Sequence, residues 1–320
     1  MKKSALAAAV LCWPALFYAP APAHAESDFK VTLLGTASPS PRPTRFGPST
    51  LIEAGDQKFI VDAGRGVPVR LWQLKVPMGK IDVLFITHYH SDHVSGIPDL
   101  WLTGWLSPPF GQRKTPFHVI GPTGAKSLME NLEKAYALDI KTRIADEKLP
   151  PEGVAVKVEE FDKDGVVYEK SGVKVIAFTN HHGDLIHPSV GYRVEYKGHV
   201  AVISGDTTYN ENVIKYGTGA DLLIHEVGMA RPDLMEIPAV QRIIHHHTPP
   251  DEAGKVFTQA KPKLAAYTHI VFLSNAKIPE PTLDDLVAET RKTYSGPLEV
   301  GEDLTSFEIG DTVTVHRFKQ

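Results

Sequence analysis

Short apolar runs bounded by turn residues are the main pattern along the chain, and they predict buried strands. The run at 83–86, Val-Leu-Phe-Ile, is apolar at every position, as expected for a strand covered on both faces. The runs at 51–53 and 59–61 flank Gly55-Asp56, which predicts a turn between two paired strands. Further strands are predicted at 31–34, 173–178, 190–196, 199–204, 221–224 and 264–267.

Three segments instead have apolar residues at helical spacing, and they predict helices at 124–137, 251–259 and 283–293. A terminal hairpin is expected at 306–317, with its turn at Gly310-Asp311. Strands precede helices in both halves of the chain, with hairpins between them. This order predicts an α/β domain in which helices cover the sheets.

Residues 1–25 have the composition of a signal peptide. Two lysines at positions 2 and 3 precede an apolar stretch at 5–18, and an Ala-His-Ala cleavage motif follows at 23–25. The apolar stretch is shorter than the ~20 residues of a membrane-spanning helix. We therefore expect cleavage after Ala25, a periplasmic or secreted location without a stable membrane anchor, and a single domain over residues 26–320.

Cysteine content and net charge narrow the chemistry. The only cysteine, Cys12, lies in the predicted signal peptide, so the mature protein would have no disulfide and no Cys-ligated zinc. Loss of Lys2 and Lys3 would leave 32 basic residues against 38 acidic ones, which changes the net charge from −4 to −6. Because this balance lacks the basic footprint of nucleic-acid-binding proteins, no nucleic-acid partner is expected.

The strongest chemical signal is a group of four ligand-type side chains directly after the apolar Val-Leu-Phe-Ile strand. His88 and His90 stand two residues apart in extended chain, so their side chains point the same way and can bind one metal ion. Asp92 and His93 lie just beyond, where a helix is expected to begin at Val94, and can serve a second ion. Imidazole and carboxylate at this density suit zinc or a similar first-row ion.

Three further segments carry ligand-type residues at the ends of apolar strands, namely His181-His182, Asp206 and His269. A single polar residue at a strand end is commonly a cap or turn residue, although sheet folds also place their sites there. Recurrence of such residues together with the His88 segment predicts one shared metal centre.

The combined pattern resembles the metallo-β-lactamase superfamily: His88-x-His90-x-Asp92-His93, a later His, an Asp in Ser-Gly-Asp-Thr and a final His. Other segments are similar to its ribonuclease Z and arylsulfatase-like branch. They are Leu-Gly-Thr-Ala-Ser-Pro at 34–39, Arg-Phe-Gly-Pro-Ser at 45–49, Val-Asp-Ala-Gly-Arg-Gly at 61–66, Gly-Tyr-Arg at 191–193, Leu-Ile-His-Glu at 223–226 and His-Thr at 247–248. The likeness extends from about residue 31 to residue 309.

The resemblance implies a four-layer αββα sandwich with two Zn²⁺, or other first-row divalent ions, in a groove at the sheet edges. Its ligand sets fall on His88, His90 and His182 for metal 1, on Asp92, His93 and His269 for metal 2, and on Asp206 as the bridge. His182 is preferred over His181 because the family's ligand directly precedes the glycine at 183, and His187 is a further candidate. Without a cysteine for a sulfur ligand, the site resembles those of ester- and phosphodiester-cleaving members.

Catalytic and supporting roles follow from the same resemblance. Asp92 is expected to orient the attacking water, and His247 is the candidate proton donor to the leaving oxygen. His247 precedes a Thr-Pro pair that predicts a helix N-terminus, with Thr248 as cap. Asp62 and His225 are expected to support the metal ligands by hydrogen bonds from outside the site. The alternative for His247, Asp62 and His225 is an ordinary capping or buried polar residue.

Trp101 and Trp105 lie four residues apart and therefore share one helical face. They can form an apolar wall for a bound substrate, or they can pack in the core, as Trp pairs at this spacing commonly do. Core packing is favoured for Trp101, and both roles stay open for Trp105.

Together these observations predict an exported dinuclear zinc hydrolase that uses a metal-bridging hydroxide to cleave a small-molecule ester. The candidate bonds are a phosphodiester, an aryl sulfate, and a lactone or carboxylic ester. Ribonuclease activity is disfavoured by the predicted export and by the net charge of −6. One alternative is a ribonuclease Z-like enzyme that opens β-lactams, and another is a non-catalytic periplasmic metal-binding protein. The sequence also leaves open a homodimer.

Overall fold

The computed structural model describes residues 27–318, so the predicted signal peptide at 1–25 lies outside the described residues. The described chain forms two β-sheets. Their strands are β1 (Phe29–Gly35), β2 (Ser49–Ala54), β3 (Gln57–Val61), β4 (Val83–Phe85), β5 (Phe117–Pro122), β6 (Val156–Phe161), β7 (Gly165–Lys170), β8 (Val173–Thr179), β9 (Val190–Tyr196), β10 (His199–Ile203), β11 (Leu222–Ala230), β12 (Leu264–Leu273), β13 (Leu298–Val300), β14 (Ser306–Ile309) and β15 (Val313–His316).

The first sheet has the strand order β15-β14-β1-β2-β3-β4-β5-β6. Its half from β15 to β3 is antiparallel, whereas β3, β4, β5 and β6 run parallel to one another. The parallel half explains why β4 is apolar at every position, because both of its faces are buried. The carboxyl end of β4 leads directly into the segment that carries His88.

The second sheet has the order β13-β12-β11-β10-β9-β8-β7, with β10 to β13 parallel. Ile203 of β10 stands opposite Ile224 of β11, which in turn stands opposite Ala266 of β12. The three parallel strands are therefore in register at the edge of the sheet where Asp206 and His269 follow.

Helices cover the outer face of each sheet. They are α1 (Val67–Gln73), α2 (Ser91–Val94), α3 (Ile97–Trp105), α4 (Ala125–Ala135), α5 (Ala137–Asp146), α6 (Pro151–Val154), α7 (Glu211–Gly217), α8 (Pro238–Ile244), α9 (Pro250–Ala260) and α10 (Leu283–Thr290). One apolar core fills the space between the sheets, where Val31 and Phe85 of the first sheet meet Val175 and Ile224 of the second. Two further cores lie beneath the helices, one on each outer face. The predicted four-layer αββα sandwich is confirmed.

All the predicted strands are present, although β11 and β12 continue six residues beyond their predicted ends at 224 and 267. The helix predicted at 124–137 is two helices, α4 and α5. The sequence analysis missed four strands, β5, β6, β7 and β13. Strands β6 and β7 are partly exposed and rich in charged residues, so they lack a continuous apolar run. Strand β13 has only three residues, and buried β5 has its apolar run interrupted by His118. Among the described residues, no helix combines the length and the apolarity that a bilayer-spanning segment requires.

Candidate metal centre

The first sheet supplies four candidate ligands from one short segment. The chain stays extended from β4 to His90, which precedes α2 with φ −63° and ψ 144°. Asp92 and His93 lie in the first turn of α2, so this helix begins at Ser91, three residues earlier than predicted. The side chains of His88, Asp92 and His93 are buried, and that of His90 is half-buried.

The second sheet supplies His182, Asp206 and His269 from the loops and strand ends at the same edge. Oδ2 of Asp206 lies at the centre of the group. Its distances to histidine Nε2 atoms are 3.9 Å for His88, 3.3 Å for His93, 3.6 Å for His182 and 3.2 Å for His269. One carboxylate therefore touches both predicted ligand sets, as a bridging ligand must.

Hydrogen bonds between the sheets hold this edge together. The Val190 N–H donates to the Thr87 carbonyl at 3.1 Å, and the Tyr192 hydroxyl donates to the Ile86 carbonyl at 2.6 Å. Both acceptors stand immediately before His88. The position of His88 relative to the second sheet is thus set by backbone and buried side-chain contacts.

Three of the histidines are oriented through Nδ1, which leaves Nε2 directed at the centre. Nδ1 of His93 lies 2.7 Å from Oδ2 of Asp62, and Nδ1 of His182 lies 2.6 Å from the His246 carbonyl. Nδ1 of His88 lies 3.0 Å from the Thr87 hydroxyl. This arrangement is typical of metal-ligating histidines, whose second nitrogen is held by an acceptor. Asp62 is therefore placed where the sequence predicted, beside a ligand histidine.

The donor atoms suit a divalent cation. Nε2 of His88 and of His93 are buried, and neither has a hydrogen-bond partner among the described residues. Ligand atoms fall within 4.8 Å of one another in three sets: His88, His90, His182 and Asp206; Asp92, His93 and His269; and Asp206, His247 and His269. Nitrogen lone pairs this close are stabilised by a shared cation, and imidazole with carboxylate is a donor set for first-row metals.

The structure also separates the three histidines that were candidates for one ligand position. His182 is buried in the cluster, with its ring 4.9 Å from that of His88. His181 points away, with Nε2 3.3 Å from the exposed Asp184, and the exposed His187 lies 6.4 Å from the His181 ring. Only His182 of the three lies at the centre.

Burial and mutual charge set the protonation of the cluster. Burial lowers the pKa of His182 to about 3, and burial with the neighbouring imidazoles lowers the pKa of His88 well below its ordinary value. Burial opposes the charged form of His93 as well, but the carboxylates of Asp206 and Asp62 outweigh it and raise the pKa of His93 well above 6.5. In the same way, surrounding imidazoles hold the pKa of Asp206 well below its usual range despite its burial.

Glu226 is a site residue that the sequence analysis left without a role. Its side chain is 1% exposed. Oε2 of Glu226 lies 2.9 Å from Nδ1 of His247, and Oε1 accepts a hydrogen bond from the Thr248 N–H at 2.7 Å. Burial, followed by the negative charge of Asp206, raises the pKa of Glu226 to about 8, whereas burial lowers the pKa of His247 to about 4. The available signal in the sequence was an acidic residue close behind the apolar run at 222–224.

His225 does not have the supporting role that was predicted for it. Its Nδ1 donates to the Glu226 carbonyl at 2.6 Å, its Nε2 is buried without a partner among the described residues, and its ring packs 5.8 Å from Phe257. No hydrogen bond joins it to a candidate ligand within the described residues. The reason is strand alternation, because neighbouring side chains of β11 point to opposite faces and only Glu226 faces the cluster.

Two smaller predictions are also corrected. Thr248 is not a helix cap, since α9 begins at Pro250 and the Thr248 hydroxyl instead donates to the Thr207 carbonyl at 2.7 Å. Trp101 and Trp105 are both 0% exposed and donate from Nε1 to the carbonyls of Val154 and Pro150. The proposed substrate wall is therefore wrong for both, because α3 packs this face against the first sheet and α6.

A sequence model described as the Beta-lactamase superfamily domain matches residues 57–270, a span that contains every candidate ligand. The chain belongs to the metallo-β-lactamase superfamily. Proteins named ribonuclease Z place it in the ribonuclease Z branch. The relative from Mycolicibacterium gilvum is 37% identical over 292 residues, which cover 88% of this chain and 96% of the relative. That from Mycobacterium marinum is 35% identical over 287 residues, 88% of this chain and 98% of the relative.

Solved structures agree on the fold. A metallo-β-lactamase fold protein from Bacillus subtilis superposes with a TM-score of 0.67 at 20% identity, over 87% of this chain and 98% of that one. The short form of human tRNase Z superposes with a TM-score of 0.64 at 23% identity and the same coverage. With the family and the His/Asp cluster established, this metallo-β-lactamase fold protein is a metal-dependent hydrolase that acts on ester bonds, and the cluster indicates divalent-metal binding. The alternative of a non-catalytic metal-binding protein is therefore wrong.

The relatives also overturn three predictions. The predicted small-molecule ester or β-lactam substrate and the predicted absence of a nucleic-acid partner conflict with the ribonuclease names of chains that match 88% of this one. The periplasmic or secreted location conflicts with the same relatives, and the residues that suggested it lie outside the described part of the chain. Net charge does not exclude a nucleic-acid substrate, because it sums the whole surface, whereas a phosphodiester is recognised by local cations.

Proposed function

We propose that this protein is a dinuclear zinc phosphodiesterase that cleaves RNA. The observation that carries the proposal is the Glu226–His247 pair, which places a proton-transferring group against the metal cluster. A ring nitrogen of His247 lies within 4.8 Å of ligand atoms of Asp206 and His269, although His247 is not itself assigned as a ligand. The names of the relatives, ribonuclease Z and human tRNase Z, support RNA and in particular transfer RNA as the substrate class.

The ligand assignment follows the geometry of the described side chains. His88, His90 and His182 would hold one ion, Asp92, His93 and His269 the other, and Asp206 both. When bound, divalent ions supply positive charge that lowers the pKa of water and stabilises the charge that develops on a phosphoryl group. Asp92 would also direct the attacking water. Burial tends to raise the pKa of Asp92, but His269 and His93 outweigh it and lower the pKa. The carboxylate therefore stays ionised and can accept a hydrogen bond from the water.

Hydrolysis requires that a water oxygen bond to phosphorus and that the bond to the leaving oxygen break. The leaving oxygen then needs a proton. The Glu226 carboxyl, with a pKa near 8, retains a proton close to neutral pH, and it can share this proton with Nδ1 of His247. Nε2 of His247 then donates its own proton to the leaving oxygen, and the attacking water returns one proton to the pair.

The experiment measures cleavage of a precursor tRNA with a 3′ extension, an unstructured RNA and bis(p-nitrophenyl) phosphate by zinc-loaded protein. We expect cleavage of RNA by the wild type and two zinc ions per chain by inductively coupled plasma mass spectrometry. His247→Ala should lower kcat by roughly 10²–10⁴-fold with unchanged zinc content, because it removes the proton donor and no ligand.

His245→Ala is the matched control, since His245 is exposed and lies two residues away on the same segment. It should change kcat by no more than about twofold. A zinc-loaded wild type that cleaves neither RNA would refute the proposed function. If the wild type holds only one zinc ion per chain, and Asp206→Ala holds the same amount, the proposal that Asp206 bridges two ions is refuted.

A further inference from the structure

A cavity lies beside the metal centre, between the loop that joins β1 to β2 and the turn before α1. Its volume is about 200 Å³, and its lining includes Arg42, Arg45 and Arg65 but no acidic residue. The cavity is close to the metal centre because the Gly64 backbone packs on that of Asp92. A Cβ on Gly64 would lie 2.5 Å from the Asp92 carbonyl oxygen, which only glycine avoids.

Two of the three arginines already have partners in the fold. Arg42 forms an ion pair with Glu280, with Nη2 and Oε1 2.5 Å apart. Arg45 donates to the Thr36 hydroxyl at 2.7 Å and to the Gly301 carbonyl at 2.8 Å, so its guanidinium fastens the loop to the second sheet. Neither side chain is free to turn toward a ligand without loss of these contacts.

Arg65 differs from both. Its side chain is exposed, and it makes no hydrogen bond or ion pair within residues 27–318. Its backbone, by contrast, is fixed, because its carbonyl accepts the Gly47 N–H at 3.1 Å and Gly64 is locked against Asp92. A guanidinium without a partner among the described residues thus lines the cavity, on a rigid turn whose neighbouring Gly64 packs against Asp92.

The part of the cavity wall that Phe46 forms is also preformed. The Phe46 N–H donates to Asp303 at 2.7 Å, and the Arg70 guanidinium lies over the Phe46 ring at 4.2 Å. Arg70 itself pairs with Asp303 at 2.8 Å. Little backbone ordering is therefore required when a ligand binds.

We propose that Arg65 binds a phosphate of the RNA that neighbours the scissile phosphodiester. The inference rests on the proposed RNA-cleaving function and adds a specificity-determining residue to it. A guanidinium can donate two parallel hydrogen bonds to phosphate, and a cavity without carboxylates does not compete for it. Arg65 would therefore raise the affinity for substrates that carry a further phosphate next to the cleaved bond, as RNA does.

The test measures the affinity of a fluorescent single-stranded RNA by anisotropy across a salt series, together with cleavage of the same RNA. Arg65→Gln should weaken binding roughly fivefold to tenfold, and the slope of log affinity against log salt should become shallower by about 0.7–1, as expected for one lost phosphate contact. Arg65→Lys should recover much of the affinity because it keeps the charge. Zinc content and melting temperature check that the metal centre and the fold of each variant are intact.

Lys134→Gln is the matched loss of one charge, since Lys134 is exposed on α4 and has no ion pair within the described residues. It should leave affinity and slope unchanged. Equal affinity and slope for Arg65→Gln and wild type would overturn the role of Arg65, whether or not RNA is cleaved. RNA binding that depends on Arg65 without cleavage would overturn the proposed function alone, and a wild type that binds no RNA would overturn both.

Discussion

Nδ1 of His247 lies 2.9 Å from Oε2 of Glu226, although the two residues are 21 positions apart in the chain. Both side chains are buried at the edge of the second sheet, where β11 places Glu226 and the segment before α9 places His247. The pair connects a carboxyl of raised pKa with an imidazole that faces the metal cluster. This contact orients the His247 ring, and in the proposed mechanism it supplies the proton that His247 passes on.

Glu226→Gln should slow RNA cleavage by roughly 10–10²-fold at unchanged zinc content. Glutamine keeps the size of the side chain and an acceptor for the Thr248 N–H, but its amide has no acidic proton to transfer to Nδ1 of His247. Single-turnover kinetics with metal analysis measure the effect, and the exposed Glu236→Gln is the control. Equal rates for Glu226→Gln and wild type would remove Glu226 from the reaction.

Gly228→Ala should displace His247 without removing a metal ligand. A Cβ at this position would lie 2.7 Å from Cβ of His247, closer than such atoms approach, so the His247 segment must move. We expect kcat to fall at least tenfold, while zinc content stays within error of wild type. Gly310→Ala serves as control, because its Cβ would meet no heavy atom closer than 3.8 Å. Normal turnover by Gly228→Ala would show that the segment tolerates the shift.

Zinc binding at pH 7 should release protons from the protein. His93 in the metal-free state has a pKa raised well above 6.5 by Asp206 and Asp62 against the effect of burial, so it is protonated at pH 7 and must lose that proton to bind zinc. Affinity should therefore rise with pH through neutrality. Titration calorimetry in two buffers with different ionisation enthalpies measures the number of protons released.

Asp62→Asn should reduce that proton release and weaken zinc binding by about 10–100-fold. The variant removes one of the two carboxylates that raise the pKa of His93, and it weakens the 2.7 Å contact that orients the ring. The exposed Asp311→Asn should match wild type in both measurements. Identical proton release by Asp62→Asn and wild type would contradict the assigned cause of the His93 pKa.

Trp105→Ala should destabilise the protein by about 3–5 kcal/mol, as expected when a fully buried indole is truncated. The KM for RNA should stay unchanged, because the indole is packed in the core between α3, the first sheet and α6 and does not face the metal centre. Urea unfolding and steady-state kinetics at low temperature separate the two effects. A raised KM with normal stability would restore Trp105 to the substrate site.

Local patterns in the sequence were sufficient where the structure is local. Strand β4 and the second half of β10, residues 201–203, are buried and therefore appear as apolar runs, and the four ligands between His88 and His93 occupy one short segment. The identity of His182 required the resemblance to the family. Strands β6 and β7 and the division of α4 from α5 were missed, because partly exposed elements have no strong periodicity. The short strand β13 and strand β5, whose apolar run His118 interrupts, were missed as well.

The sequence by itself determined an α/β domain with helices covering its sheets and the residues able to bind metal, since apolar periodicity and ligand chemistry are properties of the chain. The four-layer αββα order was implied by the resemblance to the family. The tertiary structure decided which neighbours act together. It selected Glu226 over His225, buried Trp101 and Trp105, and left Arg65 unpaired within the described residues beside the metal centre. These outcomes depend on which face of a strand or helix meets another element, and contacts between distant segments exist only once the two sheets pack together.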